Sequence, residues 1–326
     1  MAAWFDYLFA QIAGTFLASG STLSVSALLI TLTVAVLMMG FRRRSRRSVR
    51  LRVMLRALFP RRLWRSASGR SDIGWFLFSL FAFGPLVGWA IWSASSVASA
   101  VHGLAGDTYV LSLPAMVAVP LATLVVFFAY EFAYWLDHML SHRIKWLWQF
   151  HRVHHTAESL SLLTNFRVHP IDTIVFYNIV AVIVGVSEGL LPLLLGPEAK
   201  VFSYGSTNIV IFVAAVLITH VQHSHIWVTF GPKWGKWFFS PAHHQIHHSS
   251  DPAHHDSNFG STLTVFDRLY GSFIMPGESR GDLRFGVDDM AAQPHGFAEA
   301  SYRPFARALA VIVGSGFRPR EFNQIP

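Results

Sequence analysis

Histidine carries most of the chemistry legible in this chain. Of its 17 histidines, 15 fall between His138 and His255. Eight of those form three boxes: His138-Met-Leu-Ser-His142, His151-Arg-Val-His154-His155 and His244-Gln-Ile-His247-His248. On a helix, residues three or four apart share a face, so each box aims its imidazoles at one point. Neutral imidazole ligates iron, zinc, copper and nickel. Eight donors exceed what one tetrahedral zinc uses and suit two cations roughly 3.5 to 4 Å apart. A single His-x-x-His reads as a surface pair, whereas three boxes in an apolar chain read as a di-metal centre.

The remaining histidines are weaker candidates one by one. His220 and His223 close an apolar hairpin and point where a fourth ligand group is needed. His225 fits a ligand, a supporting donor or a surface residue. His169, in Arg167-Val-His169-Pro170, fits a structural hydrogen bond as well as ligation. His243, His254 and His255 flank the last box in supporting or solvent-facing roles, and His102 and His295 look incidental. The Glu plus Glu-x-x-His pattern of bundle-type di-iron proteins is missing. Asp137, Glu131, Glu158, Asp172 and Asp256 lie near the boxes, where a carboxylate can orient an imidazole through its second ring nitrogen. The supporting set is therefore Asp137, His169, His225, His243, Asp256 and Asn258. Cysteine is absent, so the ligands are nitrogen and oxygen.

The elements that must position these residues are membrane-type helices. Hydrophobic residues make up 52% of the 326. Stretches 23–41, 74–97, 113–135 and 171–195 approach the roughly 20 apolar residues that cross a bilayer, and 204–222 is similar but holds Ser206, Thr207 and Asn208. The net charge of +8 is concentrated: residues 42–70 carry twelve arginines, among them Arg43, Arg44, Arg46 and Arg47, and no Asp or Glu. Between two apolar spans, such a block reads as a cytoplasmic loop before it reads as a nucleic-acid-binding arm. Counting crossings from it returns His138, His220 and His223 to one side. The fold expected is an all-α, integral membrane helical bundle with four to five spans or re-entrant helices and a cytoplasmic-side, histidine-rich di-metal cap. Residues 1–110 form an N-terminal membrane region, 111–285 the catalytic domain and 286–326 a tail. No basic region precedes the first apolar segment, so a cleaved signal peptide is not expected.

The boxes, their spacing and their order resemble the fatty acid hydroxylase and sterol desaturase superfamily over about residues 120–280. Asp137-His138-x3-His142 is similar to its first box, and His151-Arg-Val-His154-His155-Thr-Ala-Glu158 to its second. Phe166-Arg-Val-His169-Pro170 resembles a segment that follows the second box in bacterial members. Ser240-Pro-Ala-His243-His244-Gln-Ile-His247-His248 looks like the third, with His255-Asp256-Ser-Asn258-Phe-Gly260 and Phe266-Asp267-Arg268-Leu269-Tyr270-Gly271 behind it. The resemblance implies two iron ions (zinc being an alternative in purified protein), molecular oxygen, an external electron donor and a membrane lipid substrate. It also implies a bacterial inner membrane with the boxes facing the cytoplasm.

No side chain can break an alkyl C–H bond, so the cofactor must carry that chemistry. No flavin- or dinucleotide-binding pattern is present, so electrons must come from a separate cytochrome b5-like protein, ferredoxin or reductase. Hydroxylation and desaturation begin alike, and hydroxylation is favoured. Phe132, Trp135, Trp146, Trp148 and Phe150 are candidate walls for the lipid or members of an interfacial belt. A metal transporter, a zinc hydrolase and a silent relative with a structural metal are the rivals. Boxes at span ends rather than at the midplane, and the lack of His-Glu-x-x-His, weigh against the first two. Nothing in the sequence sets the oligomeric state.

Overall fold

The computed structural model describes residues 2–42, 61–106, 109–287 and 295–314. Of the basic loop expected at 42–70, residues 43–60 lie outside the described residues, while Arg61–Arg65 and the start of α3 at Ala67 are helical rather than loop.

Eleven helices order the site: α1 (Ala2–Phe16), α2 (Val25–Arg42), α3 (Ala67–Phe81), α4 (Ala94–Ala105), α5 (Ala115–Arg143), α6 (Lys145–His155), α7 (Pro170–Leu195), α8 (Ile209–Gln222), α9 (Pro241–His247), α10 (Val265–Tyr270) and α11 (Phe297–Ile312). Only α5 and α7 are each long and apolar enough to cross a membrane among the described residues. A third candidate is the stretch from α3 to α4, bent by 62° at Ala82, so the segment expected to cross at 74–97 is a broken helix rather than a straight span. The stretch 204–222 is also not a full span. Ser203–Tyr204 and Thr207–Asn208 pair as a two-stranded antiparallel hairpin, and α8 starts only at Ile209. The reason is local: the Asn208 side chain caps α8 by accepting from the Val210 amide at 2.9 Å, and it donates to the Thr123 carbonyl at 2.9 Å. Residues 215–219 of α8 form a π-turn, and the Thr31 hydroxyl donates to the Val216 carbonyl there at 2.9 Å.

The longest helix, α5, joins membrane and chemistry. Met116, Val117, Leu121 and Phe128 are exposed on its first half, a surface suited to lipid. Its second half is buried and polar, with Glu131, Asp137 and His138 at 5% exposure or less. Glu131 is tolerated because its carboxylate accepts from the Thr262 and Leu263 amides at 2.9 and 2.8 Å, clamping the segment behind the third box to the helix. The helix ends at Ile144, whose extended backbone turns the chain into α6.

α7 lies against α5 on one side and α4 on the other. Gly185 and Gly189, four residues apart, let α4 approach closely: a Cβ at either would lie 2.5 Å from the Ala94 carbonyl oxygen or 2.7 Å from that of Ala98. Small residues at this spacing are how membrane helices pack tightly. Gly185→Val should therefore separate α4 from α7. We expect thermal unfolding in detergent to report a loss of about 1–3 kcal/mol, and an unchanged midpoint would remove this contact from the stability account.

The N-terminal and C-terminal parts brace the boxes from outside. Arg167 and Asp72, both essentially fully buried, pair at 2.7 Å and tie α3 to the turn after the second box. Within the expected tail, residues 297–312 form an amphipathic helix, α11, packed on α6.

Candidate metal centre

Three helix ends meet at the boxes: the C-terminal end of α5, the N-terminal end of α7 and the C-terminal end of α8. Helices α6 and α9 lie across them. Nine histidines converge there in two groups. His138, His142, His151, His155 and His247 form one; His154, His223, His244 and His248 form the other. Within each group the available ligand atoms lie within 4.8 Å of one another.

The sorting follows helical spacing. Pairs four apart stay together: His138 with His142 and His151 with His155 in the first group, His244 with His248 in the second. The odd member of each triple box crosses over, His154 to the second group and His247 to the first. Each His-His doublet thus feeds both groups, because consecutive residues on a helix point about 100° apart.

In the second group His223 Nε2 stands 3.0 Å from His154 Nε2, 3.1 Å from His248 Nε2 and 2.8 Å from His244 Nε2. In the first, His155 Nε2 is 3.2 Å from His142 Nε2 and 3.1 Å from His247 Nε2. One ring nitrogen cannot donate to three others, so protons alone do not satisfy this arrangement. A cation does: nitrogen atoms bound at about 2.1 Å at right angles stand about 3.0 Å apart, against about 3.4 Å at tetrahedral angles. The residues therefore fit two cations held by nitrogen. Burial, then the charge of neighbouring histidines, holds His154, His155, His244 and His248 well below the ordinary imidazole range, and burial takes His247 down to about 3. The rings are thus neutral and competent to bind metal at physiological pH.

The second ring nitrogens of the first group are held from outside. His138 Nδ1–H donates to the Phe259 carbonyl and His247 Nδ1–H to the Ser257 carbonyl, each at 2.8 Å. His151 Nδ1–H donates to Asp172 at 3.0 Å, and Asp172 also receives the Ser141 hydroxyl at 3.4 Å. Asp256 is 3.6 Å from His142 Nδ1 and 3.2 Å from Arg143. Such partners fix tautomer and ring orientation, so Asp172→Asn should weaken metal affinity by about 10–100-fold. Competition with a chelator would measure it, and an unchanged affinity would reduce Asp172 to a packing residue.

Other sequence candidates lie elsewhere. His220 stands outside both groups: the π-turn and the end of α8 aim its ring at the α1–α2 loop, where Nε2–H donates to the Thr22 carbonyl at 2.6 Å. His169 caps α7, accepting from the Ile171 amide at Nδ1 and donating from Nε2 to the Ser301 carbonyl, so both nitrogens serve the backbone. His243 binds back to Ser240 at the start of α9. Asn258, at a φ of 57°, bonds the main chain at His243 and Ile274 and touches no ligand ring. His225 lines the apolar cavity described below. Asp137 makes no hydrogen bond to a histidine; its Oδ1 is buried without a partner among the described residues. Asp172 takes the orienting role that the sequence offered to any of five carboxylates, whereas the carbonyls of Ser257 and Phe259 carried no sequence signal.

A cavity of 460 Å³ reaches both groups, touching His138 and His151 of the first and His154 and His223 of the second. Its walls include Phe76, Tyr130, Tyr134, Phe166 and Phe176. The aromatic walls expected from sequence serve other surfaces. Phe132 and Trp135 pack on Phe266, Phe150 on His169, and Trp146 sits beside Phe150. Trp148 lies against His142 and His155 and faces a separate 280 Å³ pocket with Asp256 and His255.

The helices thus gather two groups of buried imidazoles at the ends of two helices long and apolar enough to cross a membrane. Residues 123–272 match the fatty acid hydroxylase family model. The chain is 30% identical over 194 residues to the ornithine lipid hydroxylase OlsE of Rhizobium tropici, covering 59% of this chain and 52% of that one. It is 26% identical to the alkylglycerol monooxygenase of Xenopus tropicalis, covering 46% of this chain and 30% of the relative. To the human alkylglycerol monooxygenase it is 22% identical, covering 45% and 29%. The chain thus spans about half the length, or less, of these curated relatives. No solved structure matches it.

Proposed function

We propose that this protein is an O2-dependent, di-iron membrane lipid hydroxylase. The observation that carries the reading is a cavity that opens onto both histidine groups at once. His138, His142, His151, His155 and His247 would hold one iron, and His154, His223, His244 and His248 the other. Bound there, the irons supply the reductive activation of oxygen that no side chain can provide. The net change replaces one C–H of the lipid by C–OH. The second oxygen atom leaves as water, using two electrons and two protons from an external donor.

The chain's own residues position the lipid and keep water away. Phe76, Phe166 and Phe176 give the cavity an apolar wall that holds a chosen carbon near the metals and excludes water. The pocket at Trp148, His255 and Asp256 lies against His142, His155 and His247, so a separate electron-transfer protein approaching there would not compete with lipid. The arginine-rich stretch at 42–70 supports a cytoplasmic position for the boxes. Two relatives of related chemistry, a lipid hydroxylase and a monooxygenase, support hydroxylation over desaturation.

Supplying 18O2 to cells that express the chain and analysing their lipids by mass spectrometry tests the reading. A lipid heavier by one 18O is expected. A product lighter by two hydrogens with no label would make it a desaturase, and a hydrolysed lipid would make it a zinc hydrolase.

A further inference from the structure

The cavity has a direction. On α5 its lining runs Tyr130, Tyr134, Asp137, His138, and on α7 it runs Tyr177, Phe176, Thr173, Asp172. From Tyr130 to Asp137 is about 10 Å along the helix axis. Tyr130 and Tyr177 mark the far end, because they also line a second, 670 Å³ cavity. That space shares Leu23, Phe76, Asn165, Phe166 and Thr219 with the first and is otherwise walled mostly by apolar side chains such as Leu28, Leu32, Ile211 and Val221, with Thr22, Thr31, Ser161, His220, Ser224 and His225 among them. One continuous path therefore leads from an apolar chamber, past tyrosines, to a polar end at the metals.

At that polar end stand two carboxyl groups with different duties. Asp172 is engaged by His151 and Ser141. Asp137, 5% exposed, is not: its Oδ1 is buried with no hydrogen-bond partner among the described residues. An unpaired acceptor buried beside a cavity is costly unless a ligand supplies the donor.

Resting on the lipid-oxygenase reading above, we propose that the lipid lodges headgroup first. Asp137 accepts a hydrogen bond from an amine or hydroxyl of the headgroup, and the acyl tails lie back in the 670 Å³ chamber. The oxidised carbon is then in the headgroup or in the first carbons beside it, and not along the tails. This follows from the order of the lining. A tail-first lipid would press methylenes against Asp137, Asp172 and Thr173 and leave its polar end in the more apolar of the two spaces.

The test begins with metal-free full-length protein in detergent, so that binding is read apart from turnover. Three short-chain lipids are compared by tryptophan fluorescence: one with an amine headgroup, one with a hydroxyl headgroup, and one whose amine is trimethylated and whose hydroxyls are methylated. Wild-type protein should bind at least one donor-bearing lipid about tenfold more tightly than the blocked lipid. Asp137→Asn should erase that preference for an amine, and preserve part of it for a hydroxyl, since the amide oxygen still accepts. The metal-loaded protein then gives the position of the new oxygen by fragmentation of the product, expected in the headgroup-bearing fragment. Equal binding of blocked and donor lipids, or oxygen along an acyl tail, would overturn the proposal while leaving the oxygenase reading intact. Loss of metal in Asp137→Asn with lipid binding unchanged would also overturn it, by assigning Asp137 to the metal centre. Preferential binding without any oxygen insertion would retain the headgroup site and remove the oxygenase reading.

Discussion

Replacing His154 with alanine is expected to abolish lipid hydroxylation and to lower bound metal from about two ions per chain to about one. His154 supplies one of the four nitrogens of its group, in which His154, His244 and His248 each stand 2.8 to 3.1 Å from His223 Nε2. Removing one donor of four leaves a three-nitrogen site, which holds metal far less firmly. His247→Ala should also abolish activity, but its group starts with five donors and should retain more metal. The two variants are therefore ordered by metal content, measured by elemental analysis, though not by activity. His254→Ala is the control: its ring binds the Ser249 hydroxyl at 3.0 Å and belongs to neither group, so both readouts should stay near wild type. Full activity in His154→Ala would end the ligand assignment. Insertion into the membrane should be unchanged in all three, since none of the three positions lies on α5 or α7.

The second large effect concerns a residue outside both histidine groups. Asp72→Ala should destabilise the protein by roughly 3–5 kcal/mol, because it strands the buried Arg167 guanidinium. Asp72 accepts from Arg167 Nε at 2.7 Å, from the Ser161 hydroxyl at 3.1 Å and from the Thr164 hydroxyl at 2.9 Å. Arg167 also donates to the Ser68 carbonyl and to the Thr156 hydroxyl at the end of α6, immediately after His155. The pair thus couples α3 to the second box. Thermal unfolding of Asp72→Ala, Arg167→Met and the double variant should show the double losing much less than the sum of the singles. Additive losses would mean that the two residues act independently.

The three boxes were legible because they are local. An i, i+4 pair shares a face whatever the surroundings, whereas the i, i+3 pairs His151–His154 and His244–His247, expected to aim at one point, divide between the two groups. The apolar runs were equally plain, and α7 begins and ends within a residue of its sequence expectation. Breaks within runs were not. The bend at Ala82 and the late start of α8 depend on neighbours, among them Thr123, which receives both the Phe202 amide and the Asn208 side chain. His169 shows the same limit: an N-cap role is visible before Pro170, but its partner Ser301 is 132 residues away.

Sequence by itself determined that imidazole is the ligand chemistry, that thiolate is excluded and that eight of the ligand-type nitrogens come from three helical boxes. Tertiary structure decided the rest: the division into five and four, the choice of His223 over His220, the service of Asp172 to His151, and the direction of the cavity. The physical reason is range. Helical spacing fixes a ring's direction relative to its own axis, while its partner in space depends on how α5, α6, α7, α8 and α9 cross, and that is set by packing between residues distant in the chain.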